Sequence, residues 1–397
     1  ADLSNQLQES ISGISVVKAY AMEETTRRRF EAVSDDLYHR KLEMVRVMGA
    51  MPAFTSMLPA LAMWIVFLVG GWEVQAGRME ISVFFTFAIY IAELTFPSFI
   101  MGWVFALVQR GAASMQRIDE VLSTEPSIAD RPDQVVVTAL RGEIEFRDLS
   151  FRYPGSGRVP ALENLNLRVP VGSVLGVVGP VGAGKTTLAS LIPRLYEVED
   201  GTVFLDGIDV NRLPLATLRS HIAMVPQDSF LFSMSLADNI AYGLESTEPA
   251  RVAEAAQRAQ LVKDVAELPH GYETVVGERG VMLSGGQRQR TALARALSLR
   301  PSILILDDTL SSVDAETEAA IQRELEEVFQ ERTVVVVASR VSTVRSADHI
   351  VVLEDGRIVE EGAHEELIEI GGLYARLARE QEREREFETL DTAVGAA

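Results

Sequence analysis

The stretch that decides the fold is "VLGVVGPVGAGKTT", residues 174–187. Its first five residues form a short apolar run, typical of a strand buried on both faces of a parallel sheet. Gly179, Gly184, Lys185 and Thr186 then match the pattern G-x-x-x-x-G-K-[ST], directly before a predicted helix. The order strand, glycine-rich loop, helix predicts a phosphate-binding loop and therefore a nucleotide site.

The residue types in this loop suit a phosphate ligand. Glycines let backbone N–H groups turn toward the phosphates, and the helix N-terminus adds its positive end. We expect Lys185 to neutralise the β- and γ-phosphates and the Thr186 hydroxyl to bind magnesium. The predicted cofactors are ATP and Mg²⁺, and the predicted contacts are Gly179, Pro180, Val181, Gly182, Ala183, Gly184, Lys185, Thr186 and Thr187.

The sequence around the loop predicts an α/β domain over residues 142–380. "ILIL" (303–306) and "VVVVA" (334–338) are further short apolar runs, as expected of strands buried in a parallel sheet. Before this domain, the prolines and polar residues of "STEPSIADRPD" indicate a linker, placed at 123–141. After it, residues 381–397 are charged and then small, which indicates a solvated helix that frays into a tail.

Residues 1–122 have a different texture and predict a transmembrane fragment. Residues 47–72 contain no charge, and residues 81–109 are interrupted only by Glu93. Since about 20 apolar residues span a bilayer, both stretches are long enough. The alternative is a pair of buried helices in a soluble core, but such helices are usually shorter and show a polar face. Residues 1–46 predict a cytoplasmic helix, and 110–122 a cytoplasmic extension.

Basic residues give the predicted orientation. Arg110 and Arg117 follow the second span, whereas the turn between the spans holds only Arg78; the basic residues close before the first span are Arg27, Arg28, Arg29, Arg40, Lys41 and Arg46. The positive-inside rule then places both outer ends in the cytoplasm. We therefore expect a multi-pass protein of the cell (inner) membrane, in contact with lipid, with a cytoplasmic nucleotide domain.

The charge balance excludes one class of partner. The 397-residue chain carries a formal net charge of -20. Nucleic acid binding requires a basic face, so no nucleic acid partner is expected. The chain also has no cysteine, which excludes disulfides and thiolate metal sites.

Further motifs identify a family. "LSGGQRQR" (283–290) resembles the signature loop of ATP-binding cassette (ABC) proteins, and "FRYPG", "MVPQD" and "SSVD" follow the family's order. The whole chain resembles part of a type IV ABC exporter half-transporter: an all-α transmembrane part followed by an α/β P-loop nucleotide-binding domain. Such halves carry six transmembrane helices, so four are expected upstream of these two.

The resemblance implies roles for particular residues. Tyr153 should stack on the adenine, with stacking worth about 1–3 kcal/mol. Gln227 should reach magnesium and the attacking water, and Asp307 should hold magnesium through water. The residues expected to cap the γ-phosphate of a nucleotide on another subunit are Ser284, Gly285, Gly286 and Gln287.

Two segments are expected to contact transmembrane domains. "TVVGERG" (274–280) resembles the cassette loop that touches them. "AYAMEE" (19–24) lies where the family has its second coupling helix, which docks on the opposite cassette.

Two positions depart from the family pattern. Asp308 stands where the catalytic glutamate follows the magnesium aspartate, and Ser339 stands where the switch histidine is expected. Aspartate is one methylene shorter, about 1.5 Å, and a misplacement of about 1 Å can cost 10²-fold in rate. Serine has no cationic form and a short reach. His349 and His364 lie too far along the chain to substitute. Together the changes predict a site that binds ATP and hydrolyses it poorly.

The predicted protein is a degenerate-site subunit of a heterodimeric exporter, similar to antigen-peptide and multidrug transporters. Its partner is a second half-transporter with an intact catalytic glutamate and switch histidine. Drugs, peptides and lipids are the open substrate classes. The alternatives are a homodimeric exporter with a slow but working site, and a soluble cassette ATPase of another class, which the two apolar stretches oppose.

Overall fold

The computed structural model describes residues 2–155, 159–277, 281–310, 315–329 and 332–383. The chain divides into two compact units, Ala1–Glu125 and Pro126–Ala397. The helices are α1 (Asp2–Ser12), α2 (Ile14–Ala19), α3 (Glu23–Gln75), α4 (Ile81–Leu122), α5 (Lys185–Leu191), α6 (Leu215–Ser220), α7 (Leu236–Ile240), α8 (Pro249–Arg258), α9 (Val262–Glu267), α10 (Gly285–Ser298), α11 (Ala315–Phe329), α12 (Val341–Val344), α13 (His364–Ile370) and α14 (373–383). The strands are β1 (Ile144–Phe151), β2 (Leu162–Val169), β3 (Val174–Val178), β4 (Val203–Leu205), β5 (Ile208–Asp209), β6 (Ile222–Val225), β7 (Ile303–Asp307), β8 (Thr333–Val337), β9 (His349–Glu354) and β10 (Arg357–Gly362).

The first unit is dominated by a hairpin of two long helices, α3 with 53 residues and α4 with 42. The chain reverses after α3 at Gly77, whose φ of +68° favours glycine. Phe84 on α4 packs edge-on against Phe67 on α3, with ring centroids 5.6 Å apart. The helices approach closely because of Gly70: a Cβ there would lie 2.7 Å from the Phe84 ring.

The membrane prediction concerns these two helices. Within the described part of the chain, no helix combines the length and the apolar character that crossing a bilayer requires. The spans predicted at 47–72 and 81–109 lie inside α3 and α4, and they are not confirmed. The segment expected as a coupling helix, 19–24, contains the turn between α2 and α3, with Ala21 in the left-handed region.

The second unit contains two sheets. The larger has six strands in the order β10-β9-β3-β8-β7-β6 and is parallel except for β10. The smaller has four antiparallel strands in the order β2-β1-β4-β5. The α/β fold predicted for this region is therefore confirmed.

The strands of the larger sheet are buried on both faces, as their apolar runs predict. Successive residues alternate between two core clusters: Leu304 and Leu306 join one, and Ile303 and Ile305 join the other. This period of two follows from the pleat of a strand. Because both faces are covered, the loops at the carboxyl ends of the strands are the positions left for chemistry.

The predicted linker, 123–141, belongs largely to the second unit, which begins at Pro126. Arg131 forms an ion pair with Asp200 at 2.7 Å. The Asp130 carboxylate accepts a hydrogen bond from the Leu215 N–H at 2.8 Å. These bonds attach residues 126–141 to the α/β unit. At the other end of the chain, residues 381–383 finish α14, and 384–397 of the predicted tail lie outside the described residues.

Candidate nucleotide site

The predicted site residues follow neighbouring parallel strands. The phosphate loop follows β3, Asp307 and Asp308 lie at the end of β7, and Ser339 follows β8. In the sheet β8 lies between β3 and β7. Carboxyl ends of parallel strands meet at one sheet edge, so these segments form one site although the sequence separates them widely. The sequence prediction that they act together is supported by this order.

The phosphate loop depends on its glycines. Gly179, Gly182 and Gly184 have φ values of +152°, +85° and +98°, which side chains rarely adopt. A Cβ on Gly184 would also lie 2.7 Å from the Ala161 carbonyl oxygen. Pro180 and Val181 are exposed, Ala183 is buried, and α5 begins at Lys185 after its N-cap Gly184. The loop therefore presents backbone N–H groups and a helix N-terminus, an arrangement that attracts phosphate.

The Lys185 ammonium lies beside this backbone. It donates to the carbonyl oxygens of Gly179 at 2.7 Å and Pro180 at 2.9 Å. Burial lowers the pKa of Lys185, and the charges of Asp308 and Asp307 oppose that shift. A phosphate bound in the loop would compete with the carbonyl oxygens for the ammonium protons.

Tyr153, the predicted adenine platform, is fixed by its neighbours. Its hydroxyl shares a hydrogen bond of 2.9 Å with Thr187, the buried last residue of the predicted phosphate contacts. Its ring packs edge-on against Phe151 at 5.1 Å and Tyr196 at 5.0 Å between centroids. The hydrogen bond links the predicted base platform to the phosphate loop, a connection that the sequence analysis missed because the two residues belong to different motifs.

The residues predicted to hold magnesium fit that ion. Asp307 is buried, and the Thr186 hydroxyl donates to its Oδ1 at 3.1 Å. Its Oδ2 is buried without a hydrogen-bond partner among the described residues. Burial raises the pKa of Asp307, against the opposing effect of the Thr186 hydrogen bond. A buried carboxylate oxygen lacking a donor is stabilised by a cation, and Mg²⁺ prefers such oxygen ligands. Gln227 is exposed just after β6.

Asp308 and Ser339, the two departures from the family pattern, contact each other. The Ser339 hydroxyl donates to Asp308 Oδ2 at 3.2 Å, and the Ser339 N–H donates to Oδ1 at 3.4 Å. Asp308 lies in the left-handed region with φ of +48°. Its carboxylate is therefore directed at the switch position.

The signature loop is held by side chains. Ser284 and Gln287 form a capping box at the start of α10: the Gln287 N–H donates to Ser284 Oγ at 3.2 Å, and Gln287 Oε1 accepts from the Ser284 N–H at 2.9 Å. Gln287 Nε2 donates to Asp264 on α9 at 3.0 Å, and Arg290 forms an ion pair with the same aspartate at 2.7 Å. The Gln287 oxygen and one of its two Nε2 hydrogens are thus occupied, and the second Nε2 hydrogen is the group left for the expected γ-phosphate contact. Gly285 and Gly286 form the first turn of α10.

Comparison with known proteins identifies the family. The family described as "ABC transporter" matches residues 162–311, and "ABC transporter transmembrane region" matches 1–98. The chain belongs to the ABC transporter family. The predicted cofactor pair, ATP with Mg²⁺, is confirmed by the first match, which covers the phosphate loop and Asp307.

Individual ABC transporters resemble the chain over nearly all of its length. It is 38% identical over 377 residues to an ATP-dependent lipid A-core flippase of Desulfotalea psychrophila, covering 95% of this chain and 65% of that protein. It is 37% identical over 378 residues to a fatty acid ABC transporter ATP-binding/permease protein of Mycobacterium bovis, covering 95% and 59%. It is 36% identical over 395 residues to a probable multidrug resistance ABC transporter of Bacillus subtilis, covering 99% and 66%. The chain thus spans less than two thirds of the length of these proteins.

A solved structure supports the same fold. A bacterial Atm1-family ABC exporter with ATP bound superposes with a TM-score of 0.86 and 31% sequence identity, over 95% of this chain and 66% of that one. The predicted fold class, a helical part like that of ABC exporters followed by an α/β nucleotide-binding domain, is therefore confirmed.

Two of the predicted ABC motifs are not fully described by the structure, and two histidines downstream of Ser339 lie away from it. The "SSVD" motif (311–314) and residues 278–280 of the "TVVGERG" loop lie outside the described residues. His349 contacts Glu361 at 3.5 Å and begins β9, away from the carboxyl ends of the strands. His364 shares a hydrogen bond of 2.8 Å with Tyr374. Neither histidine lies beside Ser339 in sequence or topology, as the sequence analysis expected.

Proposed function

We propose that this chain is a subunit of an ATP-driven ABC exporter that moves amphipathic molecules out across the cell membrane. In this proposal its own site, the one built on its phosphate loop, binds ATP and hydrolyses it poorly. Its signature loop completes the productive site of a second half-transporter. That partner carries the catalytic glutamate and the switch histidine.

The contact between Asp308 and Ser339 carries the proposal. A general base must lie within hydrogen-bond reach of the water that it activates. Asp308 is shorter than glutamate, and its carboxylate accepts two hydrogen bonds from Ser339. Serine supplies no positive charge to a developing phosphate charge, unlike histidine. The residues at the catalytic-base position and at the switch position are thus both poorly suited to hydrolysis, whereas the phosphate loop keeps all of its binding groups.

Each residue then has a defined task at this chain's own site. Tyr153 supports the base, Lys185 neutralises the outer phosphates, and loop N–H groups bind phosphate oxygens. Thr186, Asp307 and Gln227 hold the magnesium ion, which neutralises phosphate charge when bound. Binding is favourable because these donors and ligands are positioned in advance. Turnover is slow because no well-placed base faces the γ-phosphate.

The signature loop contributes to the partner's site. Ser284 is exposed, and its hydroxyl proton remains available while its oxygen accepts the capping hydrogen bond. Gly285 and Gly286 add the N–H groups of the first helical turn, which have no partner within the helix. Such a helix N-terminus suits a γ-phosphate held by another subunit.

The substrate class follows from the relatives and the apolar character of the first unit. The names of the relatives refer to lipid A-core, fatty acid and multidrug transport. All three describe amphipathic molecules, so we place lipids and drugs before peptides. The proposed location is the cell membrane, with helices of the first unit in lipid and the α/β unit in the cytoplasm.

The alternative is a homodimeric exporter with a slow but working site. It is favoured by one observation: Asp308 still places a carboxylate after the magnesium aspartate. A homodimer would draw all of its turnover from Asp308, whereas the heterodimer would draw little.

Steady-state ATPase activity of the purified full-length transporter distinguishes the heterodimer with a degenerate site from the homodimer with a working site. Asp308→Asn removes the charge, and asparagine tolerates the left-handed backbone at this position. We expect ATPase activity to change by less than about twofold. Loss of a working base would instead cost about 10²-fold or more, and that result would overturn the degenerate-site proposal. The matched control is Asp148→Asn, an exposed aspartate in β1 that also has a left-handed backbone, with φ of +44°.

Binding at the chain's own site needs a separate measurement. Lys185→Ala should abolish labelling of this chain by 8-azido-ATP, because the ammonium is the cation of the phosphate loop. Labelling of the partner chain should persist. Undiminished labelling of this chain would contradict ATP binding at the loop.

A further inference from the structure

The switch loop, residues 339–341, is bound by a side chain from the end of the described chain. Gln381 on α14 donates from Nε2 to the Ser339 carbonyl oxygen at 2.9 Å. Its Oε1 accepts from the Val341 N–H at 2.8 Å. The single side-chain amide of Gln381 thus forms hydrogen bonds with two backbone groups, the Ser339 carbonyl and the Val341 N–H. No motif in the sequence marks Gln381.

The helix that carries Gln381 is firmly anchored. Its first N–H groups are bound by the Glu360 carboxylate: Leu373 and Tyr374 both donate to it, the latter at 3.0 Å. Tyr374 is fully buried, and its hydroxyl shares a hydrogen bond of 2.8 Å with His364. Gln381 therefore extends from a fixed support rather than from a fraying end.

Capping of α12 explains only one of the two hydrogen bonds that Gln381 forms with the switch loop. Val341 begins α12, so its N–H has no acceptor within the helix, and Arg340 at the N-cap supplies no side-chain acceptor. Gln381 Oε1 caps that N–H. The second hydrogen bond, to the Ser339 carbonyl, lies outside α12 and satisfies no helix end. It fixes the residue at the switch position.

The switch loop is consequently held from two sides. Asp308 binds the Ser339 hydroxyl and N–H, and Gln381 binds the Ser339 carbonyl. We propose that Gln381 is a positioning residue, which holds the switch loop so that Ser339 lies where the γ-phosphate of ATP is recognised. This inference rests on the proposed function, in which the chain's own site holds ATP.

The proposal predicts that Gln381 affects the binding of ATP and of ADP differently. ATP has a γ-phosphate and ADP does not, whereas both use the phosphate loop and Tyr153. A residue that positions the switch loop should therefore affect ATP binding and leave ADP binding unchanged. A residue that merely supports the fold should weaken both.

The test uses the full-length transporter, in which labelling of this chain is separated from labelling of other chains by electrophoresis. Half-saturating concentrations of 8-azido-ATP and 8-azido-ADP are measured for the wild type, Gln381→Met and Gln381→Glu. Methionine matches glutamine in length and lacks both hydrogen-bonding groups. We expect Gln381→Met to raise the 8-azido-ATP value about tenfold and the 8-azido-ADP value less than twofold. Gln381→Glu keeps the acceptor and loses the donor, so an intermediate change is expected.

The control variant is Gln257→Met, an exposed glutamine on α8, which should change neither value. Equal weakening of both nucleotides by Gln381→Met, or no weakening of either, overturns the inference. If Gln381→Met fails to fold, Gln381→Glu decides by the same ratio. Failure of the wild type to label with 8-azido-ATP is a different outcome, since it contradicts ATP binding at this site and hence the proposed function.

Discussion

The phosphate loop and the signature loop both place a helix N-terminus toward a phosphate, and they do so by different means. At α5 the N-cap is Gly184, left-handed and without a side-chain cap. At α10 the N-cap is Ser284, extended and closed by a capping box with Gln287. The first arrangement leaves backbone donors available and depends on glycine φ values. The second uses two backbone donors, the N–H groups of Ser284 and Gln287, in the hydrogen bonds that fix the loop.

This difference predicts which activity is lost when each loop is altered by mutation. The phosphate loop is predicted to hold the nucleotide of this chain's own site, so the ligand itself can organise its backbone N–H groups. In the proposed function the signature loop meets a nucleotide bound to another subunit, so we expect its shape to exist beforehand. Preorganisation of this kind lowers the entropic cost of association. Changes in the side-chain network of the signature loop should therefore affect turnover without affecting ATP binding to this chain.

The largest expected effect comes from Ser284→Arg. Arginine removes the cap oxygen and places a bulky cation where the partner's nucleotide must approach. We expect the ATPase activity of the assembled transporter to fall at least about 10²-fold, with 8-azido-ATP labelling of this chain unchanged. Ser220→Arg, an exposed serine at the end of α6, is the matched control. Retained activity would show that the signature loop serves no productive site.

A smaller loss is expected from Asp264→Ala. Asp264 binds both Gln287 and Arg290, and removing it leaves the largely buried Arg290 guanidinium without this ion pair. Loss of a partly buried charge pair costs about 2–5 kcal/mol at most sites, so some of the effect will be on stability. We expect about a tenfold fall in kcat, with own-site labelling intact.

Two comparisons make the Asp264 measurement specific. Asp264→Asn keeps an acceptor for Gln287 and should lose less activity than alanine. Lys263→Ala, at the exposed neighbouring position on α9, should lose none. Equal activity of Asp264→Ala and the wild type would show that the capping box alone holds the signature loop.

The smallest effect concerns the stability cost of Asp307 at the predicted magnesium site. The pKa of Asp307 is raised by burial, so the native state penalises its charged form. As pH falls through the raised native pKa, the native state gains the proton before the unfolded state does, and stability rises relative to neutral pH. Asp307→Asn should remove this dependence and raise the Tm of the nucleotide-free protein at pH 7 by about 3 °C, the shift given by about 1 kcal/mol.

Thermal unfolding with and without Mg-ATP checks this last expectation. The wild type should be stabilised by Mg-ATP, because the cation compensates the buried carboxylate, and Asp307→Asn should be stabilised much less. A lower Tm for nucleotide-free Asp307→Asn would show that Asp307 stabilises the fold by itself.

The sequence predicted the α/β unit well because its signals are local. "VLGVV" and "ILIL" have the composition of strands buried on both faces, and the glycines with Lys185 and Thr186 have a fixed spacing that only a few backbone arrangements satisfy. The membrane spans were predicted from length and apolar content in the same way. The described structure does not confirm them, so that part stays a prediction.

What the sequence by itself determined was the pattern of the phosphate loop and the groups predicted to contact phosphate, because these groups are contiguous and their chemistry follows from residue type. Only the tertiary structure decided how distant segments hold one another. Asp308 meets Ser339 because β7 and β8 are neighbours in the sheet, and Asp264 reaches Gln287 across two helices. Gln381 binds the switch loop because α14 folds back on it. Such contacts depend on chain packing over long separations, which residue spacing does not encode.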